Sequence, residues 1–261
     1  MNYTYSARTD PGKVRGNNED ALGFDASAGV ALLADGMGGY QAGEVASDMA
    51  VELIRTELCR WLAEVGEQAN IREIRRAIEI CTGNANQSIF QAAVECPQFA
   101  GMGTTLVVAV FQGERLVLGH IGDSRCYRMR RDELRQITRD HSLLQEQIDA
   151  RLITKEQAAV SAHKNLLTRA LGVEHGALLE LNDFQVESGD LYLLCSDGLT
   201  DMVTDGAIAE VLRSQVSLDH MGQRLVDLAN RQGGRDNVSV ILVRAGVQGA
   251  RSGLVSRLLG K

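Results

Sequence analysis

Three apolar runs in this chain end on an aspartate, and that recurrence constrains the fold more than any other feature. Val30-Ala31-Leu32-Leu33-Ala34 leads into Asp35-Gly36-Met37-Gly38-Gly39, Leu193-Leu194-Cys195-Ser196 into Asp197-Gly198, and Gly119-His120-Ile121-Gly122 into Asp123. An apolar run of this kind reads as a buried strand, and the glycines beside it as turns where the backbone comes close to something. Each carboxylate then stands at the lip of a core. Asp-Gly alone carries little weight, being among the commonest turn dipeptides. The coincidence carries the argument. Asp236 sits in Gly233-Gly234-Arg235-Asp236-Asn237 just before another apolar run, and Asp20 lies in a polar loop feeding a strand.

If those strands lie side by side, several carboxylates gather at one end. Two like charges about 4 Å apart repel by roughly 4 kcal/mol at an effective dielectric of 20. A cluster of four or five therefore has two outcomes: the pKa values rise, or cations fill the gap. All-oxygen ligation selects hard cations, Mg²⁺ or Mn²⁺, over zinc. His120, His141, His163, His175 and His220 show no paired ligand spacing and read as structural residues.

The rest of the chain falls into blocks. A strand over residues 3–8 ends at Asp10-Pro11-Gly12, and strands follow at 21–25 and 30–34. Val45, Met49, Leu53, Leu58, Trp61, Leu62 and Val65 recur at mostly three or four, predicting an amphipathic helix from Gly43 to about 65. Ile71, Ile74, Ile78, Cys81, Ala85 and Ile89 predict a second, ended before Pro97. Strands are expected at 104–111, 115–121, 125–129, 133–138, 178–186, 190–195 and 238–243, and helices at 205–213 and 218–231. Arg130-Arg131-Asp132 reads as a hairpin tip. Residues 140–175 interrupt the rhythm with polar, helix-flavoured sequence, either a flap or a structural excursion. Because strands and helices do not alternate strictly, an antiparallel sheet core with helices packed outside is favoured over a doubly wound parallel sheet.

Composition closes off several functions. The 261 residues carry a net charge of −7, which gives no support to a nucleic-acid or anionic-membrane partner. The five cysteines are odd in number and unpaired in spacing, reading as reduced thiols of a cytoplasmic protein. No apolar run approaches the roughly 20 residues of a membrane span, and the N-terminus lacks signal-peptide character. The segment from Gln248 to Lys261, with three cations among Leu254, Leu258 and Leu259, reads as a frayed tail in preference to a docking helix.

Arg15 through Asp20, Ala34–Gly39, Gly101-Met102-Gly103-Thr104-Thr105, Gly122-Asp123-Ser124-Arg125, Ser196-Asp197-Gly198-Leu199 and Gly234-Arg235-Asp236-Asn237-Val238 together resemble, in order and separation, the motif series of the metal-dependent Ser/Thr protein phosphatases (PPM family, type 2C). The likeness runs from about residue 3 to 245 and is greatest to the compact bacterial members. It implies a phosphatase domain over 1–246 with a tail at 247–261, and an α+β sandwich of two antiparallel sheets flanked by helix pairs (α-β-β-α). The segment at 140–175 corresponds to the family's flap.

The same resemblance implies roles for particular residues. Asp35 bridges two Mn²⁺ or Mg²⁺ ions, and the Gly36 carbonyl ligates the second. Asp197 and Asp236 complete the first ion's shell, while Glu19 and Asp20 hold waters on the second ion's side. Asp123, with Asp197, contributes to a weaker third site, and Arg15 grips the substrate phosphate, a task suited to a guanidinium fork. A water bridging the two ions becomes hydroxide near neutral pH and attacks phosphorus in line, without a protein nucleophile. Cys195 and Ser196 then read as core packing.

Met37 stands where many eukaryotic relatives place a histidine, as is usual in the bacterial branch. The proton donor is therefore unassigned, a metal-bound water being the first candidate and a flap residue the second. The implied partners are phosphoprotein substrates and a cognate Ser/Thr kinase, with a monomer as the default state. A catalytically silent domain that binds a regulatory partner is the alternative, disfavoured because no metal-bridging aspartate is missing. A metal-dependent phosphodiesterase or nuclease is disfavoured by motif order and acidic charge.

Overall fold

The computed structural model describes residues 1–39, 42–66, 69–154, 157–158 and 166–246. Its strands form two antiparallel sheets. One has the order β1 (Asn2–Asp10), β11 (Val238–Gly246), β10 (Leu191–Cys195), β7 (Arg125–Arg130), β8 (Glu133–Gln136). The other runs β2 (Asp20–Asp25), β3 (Val30–Met37), β5 (Leu106–Gln112), β6 (Arg115–Ile121), β9 (Glu180–Gln185), with the short β4 (Gly103–Thr104) paired to the end of β3.

Why these strands are apolar throughout follows from the layering. On β3 and β5, Leu33, Val107 and Ala109 face the opposite sheet, where they meet Cys126, Tyr192, Leu194, Ile241 and Val243. Their neighbours Leu32, Val108 and Val110 face the helices α1 (Ala42–Val65) and α2 (Ile71–Glu95). Buried on both faces, such strands lose the polar alternation of a half-exposed sheet. The outer face of the other sheet is covered by α5 (Asp205–Arg213) and α6 (Leu218–Arg231), which bring Ile208, Leu212, Met221 and Leu225 onto Leu193, Val240 and Leu242. The α+β sandwich expected from the sequence is therefore the fold observed.

Helix boundaries follow local chemistry. Asn70 caps α2 by accepting from the Arg72 and Glu73 amides, and Glu73 returns a carboxylate to the Asn70 amide, closing a capping box. Thr204 and Ser217 cap α5 and α6 through their hydroxyls, and Arg213 and Arg231 lie in the last turns, where cations favour the helix dipole.

Departures from the sequence reading are local. The strand predicted over 104–111 is broken at Thr105, whose amide turns to the Asp35 carbonyl at 2.9 Å. The tip of the β7–β8 hairpin is only Arg131-Asp132, both at positive φ (49° and 67°), as a two-residue turn requires. Arg130 stays in β7 and pairs with Glu133. In the described part of the 140–175 segment, the helix α3 (Leu143–Asp149), capped by Ser142, is joined by helical residues at 157–158 and otherwise irregular chain. A one-turn helix, α4 (Asp197–Thr200), follows β10 and was not predicted. The tail from Gln248 lies outside the described residues.

One close approach sets the position of α1. A Cβ on Gly36 would stand 2.0 Å from the Gly43 carbonyl oxygen, and one on Gly43 would meet the Gly36 carbonyl carbon at 2.9 Å and the Glu19 carboxylate at 2.7 Å. Two bare backbones thus touch where β3 hands over to α1. Gly43→Ala is expected to force them apart and lower stability by about 1–3 kcal/mol, the range for overpacking, measured by urea denaturation of the metal-free protein. Wild-type stability would contradict this contact.

Candidate active site

Five aspartates meet at one end of the sandwich, each delivered by a different piece of backbone. Asp20 opens β2 and stands opposite Asp35 of β3 in register. Asp123 lies in the turn from β6 to β7, Asp197 is the first residue of α4 directly after β10, and Asp236 precedes β11. The start of α4 packs on the Asp236-Asn237 turn so tightly that a Cβ on Gly198 would lie 1.9 Å from the Asn237 carbonyl oxygen and 3.4 Å from the Asp236 Cβ. Glycine at this position lets Asp197 and Asp236 stand side by side.

The crowding shows in the acidities. Burial first, then the charges of Asp20, Asp197, Asp123 and Asp236, hold the Asp35 carboxyl well above the usual carboxylate range. Asp197 is raised in the same way, by burial and by Asp123, Asp236, Asp201 and Asp20. Asp20 is pushed up to about 6 by burial against the opposing pull of its hydroxyl partners. Asp123 also rises to about 6, from burial and the charge of Asp140. Asp201, one turn on from Asp197, joins this field. The i, i+4 spacing in Asp197-Gly198-Leu199-Thr200-Asp201 could have signalled it, had the short helix been foreseen.

Neutral side chains fix the geometry, and several escaped the sequence reading. Thr105 Oγ1 accepts from the Asp35 amide at 3.0 Å and shares a hydrogen bond with Ser124 Oγ at 2.8 Å, tying the Asp35 and Asp123 turns together. Thr104 Oγ1 donates to the Asp35 carbonyl at 2.9 Å. Asn237 accepts from the Glu19 amide at 2.8 Å and donates to the carbonyls of Pro11 and Asn17 at 3.0 and 2.8 Å, so the loop before β2 hangs from one amide side chain. Ser196, read from sequence as packing, donates to Asp20 Oδ2 at 2.8 Å and accepts from the Ser239 amide at 3.0 Å. It supports the cluster through these hydrogen bonds.

The remaining expected residues are also at this end. Glu19 accepts from Asn17 at 3.1 Å and lies against Gly43 at the start of α1. Gly36 donates to the Glu19 carbonyl at 2.9 Å, and its bare Cα is accounted for by the contact with α1. Arg15 donates to Asp236 Oδ2 at 2.8 Å, while Asp236 Oδ1 accepts from the Asn237 amide at 2.9 Å. An ionised carboxylate has about four lone-pair positions, so both bonds leave Asp236 capacity for a cation. Met37 pairs with Gly103 on β4, and a Cβ on Gly103 would stand 2.8 Å from the Met37 methyl.

The donor set suits hard divalent ions. It is all oxygen, its charges are mutually repelling, and Asp20 Oδ1 is buried with no hydrogen-bond partner. An unsatisfied anionic oxygen inside an acidic cluster is what a bound cation would complete.

Comparison with known proteins identifies the family. The family model described as protein phosphatase 2C matches residues 13–241. The serine/threonine phosphatase stp of Listeria innocua is 39% identical over 241 residues, covering 90% of this chain and 93% of that protein. The crystal structure of the Mycobacterium tuberculosis serine/threonine phosphatase PstP/Ppp superposes with a TM-score of 0.83 at 38% identity, over 94% of this chain and 100% of that one. The PstP catalytic domain in complex with two manganese ions gives a TM-score of 0.81 at 39% identity, over 93% and 97%. The chain belongs to the protein phosphatase 2C family and is a protein phosphatase, as its motif series implies.

The raised carboxylates make stability depend on pH in a defined sense. A folded pKa of about 6 for Asp123, against about 3.9 unfolded, means the fold binds more protons between those values. This contribution to stability therefore falls as pH rises from about 4 through 6. His120 and His141, held low chiefly by burial, act oppositely, so the comparison should be differential. In chelator, Asp123→Asn should match wild type in Tm at about pH 3.5, below both pKa values, and exceed it at pH 7.5, where it removes a repelling charge. An equal or lower Tm at the higher pH would contradict the cluster.

Proposed function

We propose that this chain hydrolyses phosphoserine and phosphothreonine esters of phosphoproteins with two divalent ions, Mn²⁺ or Mg²⁺, and opposes a Ser/Thr kinase. The observation that carries the reading is the convergence of Asp20, Asp35, Asp123, Asp197 and Asp236, where burial and neighbouring carboxylates raise the pKa of Asp20, Asp35, Asp123 and Asp197. The two manganese ions named with the PstP catalytic domain support the choice of ion.

Asp35 is assigned to both ions, Asp197 and Asp236 to the first, and the Gly36 carbonyl to the second, with Glu19 and Asp20 ordering water beside it. Asp123, with Asp197, is assigned to a weaker third site. When bound, the ions supply an acidified water as nucleophile and positive charge for the phosphoryl oxygens. The chain's own part is to orient. Thr105 and Thr104 hold the backbone of Asp35. Asn237 holds the loop that carries Arg15 and Glu19.

Arg15 is assigned to the substrate phosphate. Its side chain is 49% exposed while one nitrogen stays on Asp236, so the rest of the fork faces outward. The guanidinium would hold the same phosphoryl group to which the ions, when bound, would supply positive charge. No thiol nucleophile is required, in keeping with Cys195, whose thiol is pushed up to about 12 by burial. The domain is assigned to residues 1–246, in a monomeric cytoplasmic enzyme. Among the described residues no helix is long and apolar enough to cross a membrane.

The test is turnover of a phosphothreonine peptide and of bis-nitrophenyl phosphate. Chelator should abolish peptide turnover and Mn²⁺ should restore it. Asp35→Asn should lower kcat/KM about a hundred-fold or more while still folding. Turnover indifferent to chelator, or greater on the diester, would overturn the proposal.

A further inference from the structure

Two histidines and a glutamate form a second cluster beside the aspartates. His120 lies near the end of β6, His141 at the root of the 140–175 segment, and Glu180 at the start of β9. Each offers a donor atom, and these atoms lie within 4.8 Å of one another. Both histidines are buried, at 1% exposure.

A metal ion is the first reading of such a triple, and the rings argue against it. They stack with centroids 4.8 Å apart and planes 8° apart. A ring nitrogen ligates along a lone pair in its own ring plane, and two planes stacked face to face do not share an ion. The hydrogen bonds agree. The Gly122 amide donates to His141 Nδ1 at 3.2 Å, so the ring proton sits on Nε2, facing Glu180 Oε2 at 3.3 Å. That nitrogen is a donor here.

The pair instead grips the turn that carries Asp123. The His141 amide donates to the Gly122 carbonyl at 2.9 Å, while its ring receives the Gly122 amide. Both backbone polar groups of Gly122 thus go to one residue. Gly122 has φ +99°, and on its other side a Cβ would strike the Thr105 side chain at 2.6 Å. The turn is pinned between Thr105 and His141. His120 stacks on His141, and its Nε2 lies 2.8 Å from the Arg139 carbonyl oxygen, so the partner ring is itself held in place.

We infer that His141 is a positioning residue for Asp123: through Gly122 it holds that carboxylate in the acidic cluster, and with it the weakest of the divalent-ion sites. This rests on the assignment of Asp123 as a ligand made above. Without the grip, Asp123 is free to swing away from its like-charged neighbours.

Two substitutions separate the atoms of the ring. Asn places a side-chain oxygen near the position of Nδ1 and can still accept from Gly122, whereas Gln reaches toward Glu180 and leaves the Gly122 amide unpaired. The metal-free full chain would be titrated with Mn²⁺, read by calorimetry and by electron paramagnetic resonance of free Mn²⁺, with kcat and KM for a phosphothreonine peptide measured in parallel. His141→Gln should weaken the weakest Mn²⁺ step about ten-fold, the low end for a supporting residue, leaving the tighter steps alone. It should raise the Mn²⁺ concentration for half-maximal turnover by the same factor, and His141→Asn should restore both. His141→Gln in an Asp123→Asn background should change nothing further.

Wild-type binding in folded His141→Gln, equal weakening of every step, or additivity with Asp123→Asn would overturn the inference. If His141→Gln does not fold, a folded His141→Asn decides: a retained weak step supports the inference and a lost one refutes it. An active wild type with only two Mn²⁺ steps would refute the assignment of Asp123, and the inference with it. An inactive wild type that binds Mn²⁺ in three steps would refute the phosphatase reading and leave the positioning of Asp123 to the binding data.

Discussion

Everything at the open end of this sandwich answers to the repulsion among Asp20, Asp35, Asp123, Asp197 and Asp236. Carboxylates this close raise one another's pKa and push apart. Flexible loops would relieve that strain by moving. Here each residue is delivered by a strand end, a helix start or a short turn next to a strand. Asp20 and Asp35 are locked in register on adjacent strands, and Asp197 begins a helix pressed onto the turn of Asp236. The two-sided apolar burial of β3, β5, β10 and β11 is what keeps those ends from drifting. Core packing and electrostatics are in this sense one problem, because the rigidity of the first sets how much repulsion the second can store.

The devices that hold the charges are almost all neutral. Thr105, Ser196 and Asn237 offer hydroxyls or an amide, and among the described residues the ion pair to an aspartate of the cluster is that of Arg15 with Asp236, at the exposed edge. A lysine or arginine among the buried carboxylates would settle them more strongly, but it would also occupy the charge that attracts divalent ions. Neutral hydrogen-bond donors fix direction without cancelling the field. The cationic pairs lie a shell further out. Arg125 grips Asp140 with contacts of 2.7 to 3.0 Å, and Arg130 grips the buried Asp190 at 2.7 Å, where they brace the strands and leave the cluster acidic.

Much of this was legible in the sequence, for identifiable reasons. Helices at 205–213 and 218–231 combine a hydroxyl cap, a strong apolar face and a basic last turn, so pattern and boundary coincide. The aspartates were legible because each ends or precedes an apolar run. Thr105 was not legible as a break, since a β-branched residue in a β-branched run looks like more strand. Only the position of Asp35, far away in sequence, turns its amide aside. Ser196 failed for the same reason: its partner Asp20 is remote in the chain. The bare Cα of Gly36 was legible as a close approach, but the approaching group is the backbone of α1. Local sequence signals that something must come near, and tertiary contact decides what does.

The 140–175 segment shows how an insertion of this size is tolerated beside so demanding a site. Its near root is bolted to the Asp123 turn through His141 and through the Arg125–Asp140 pair. Its far root is bolted to β4, where Leu171 and Thr104 exchange amide bonds at 2.8 and 3.0 Å and Asn86 of α2 holds the Gly172 amide at 2.8 Å. Both anchors close on backbone that already serves the aspartates, Gly122 on one side and Thr104 on the other. Loop-closure entropy grows only slowly with length, so once the roots are fixed the sequence between them can vary at small thermodynamic cost. What cannot vary is the anchors themselves, because a change at either root reaches Asp123 or Asp35 through a single hydrogen-bonded residue.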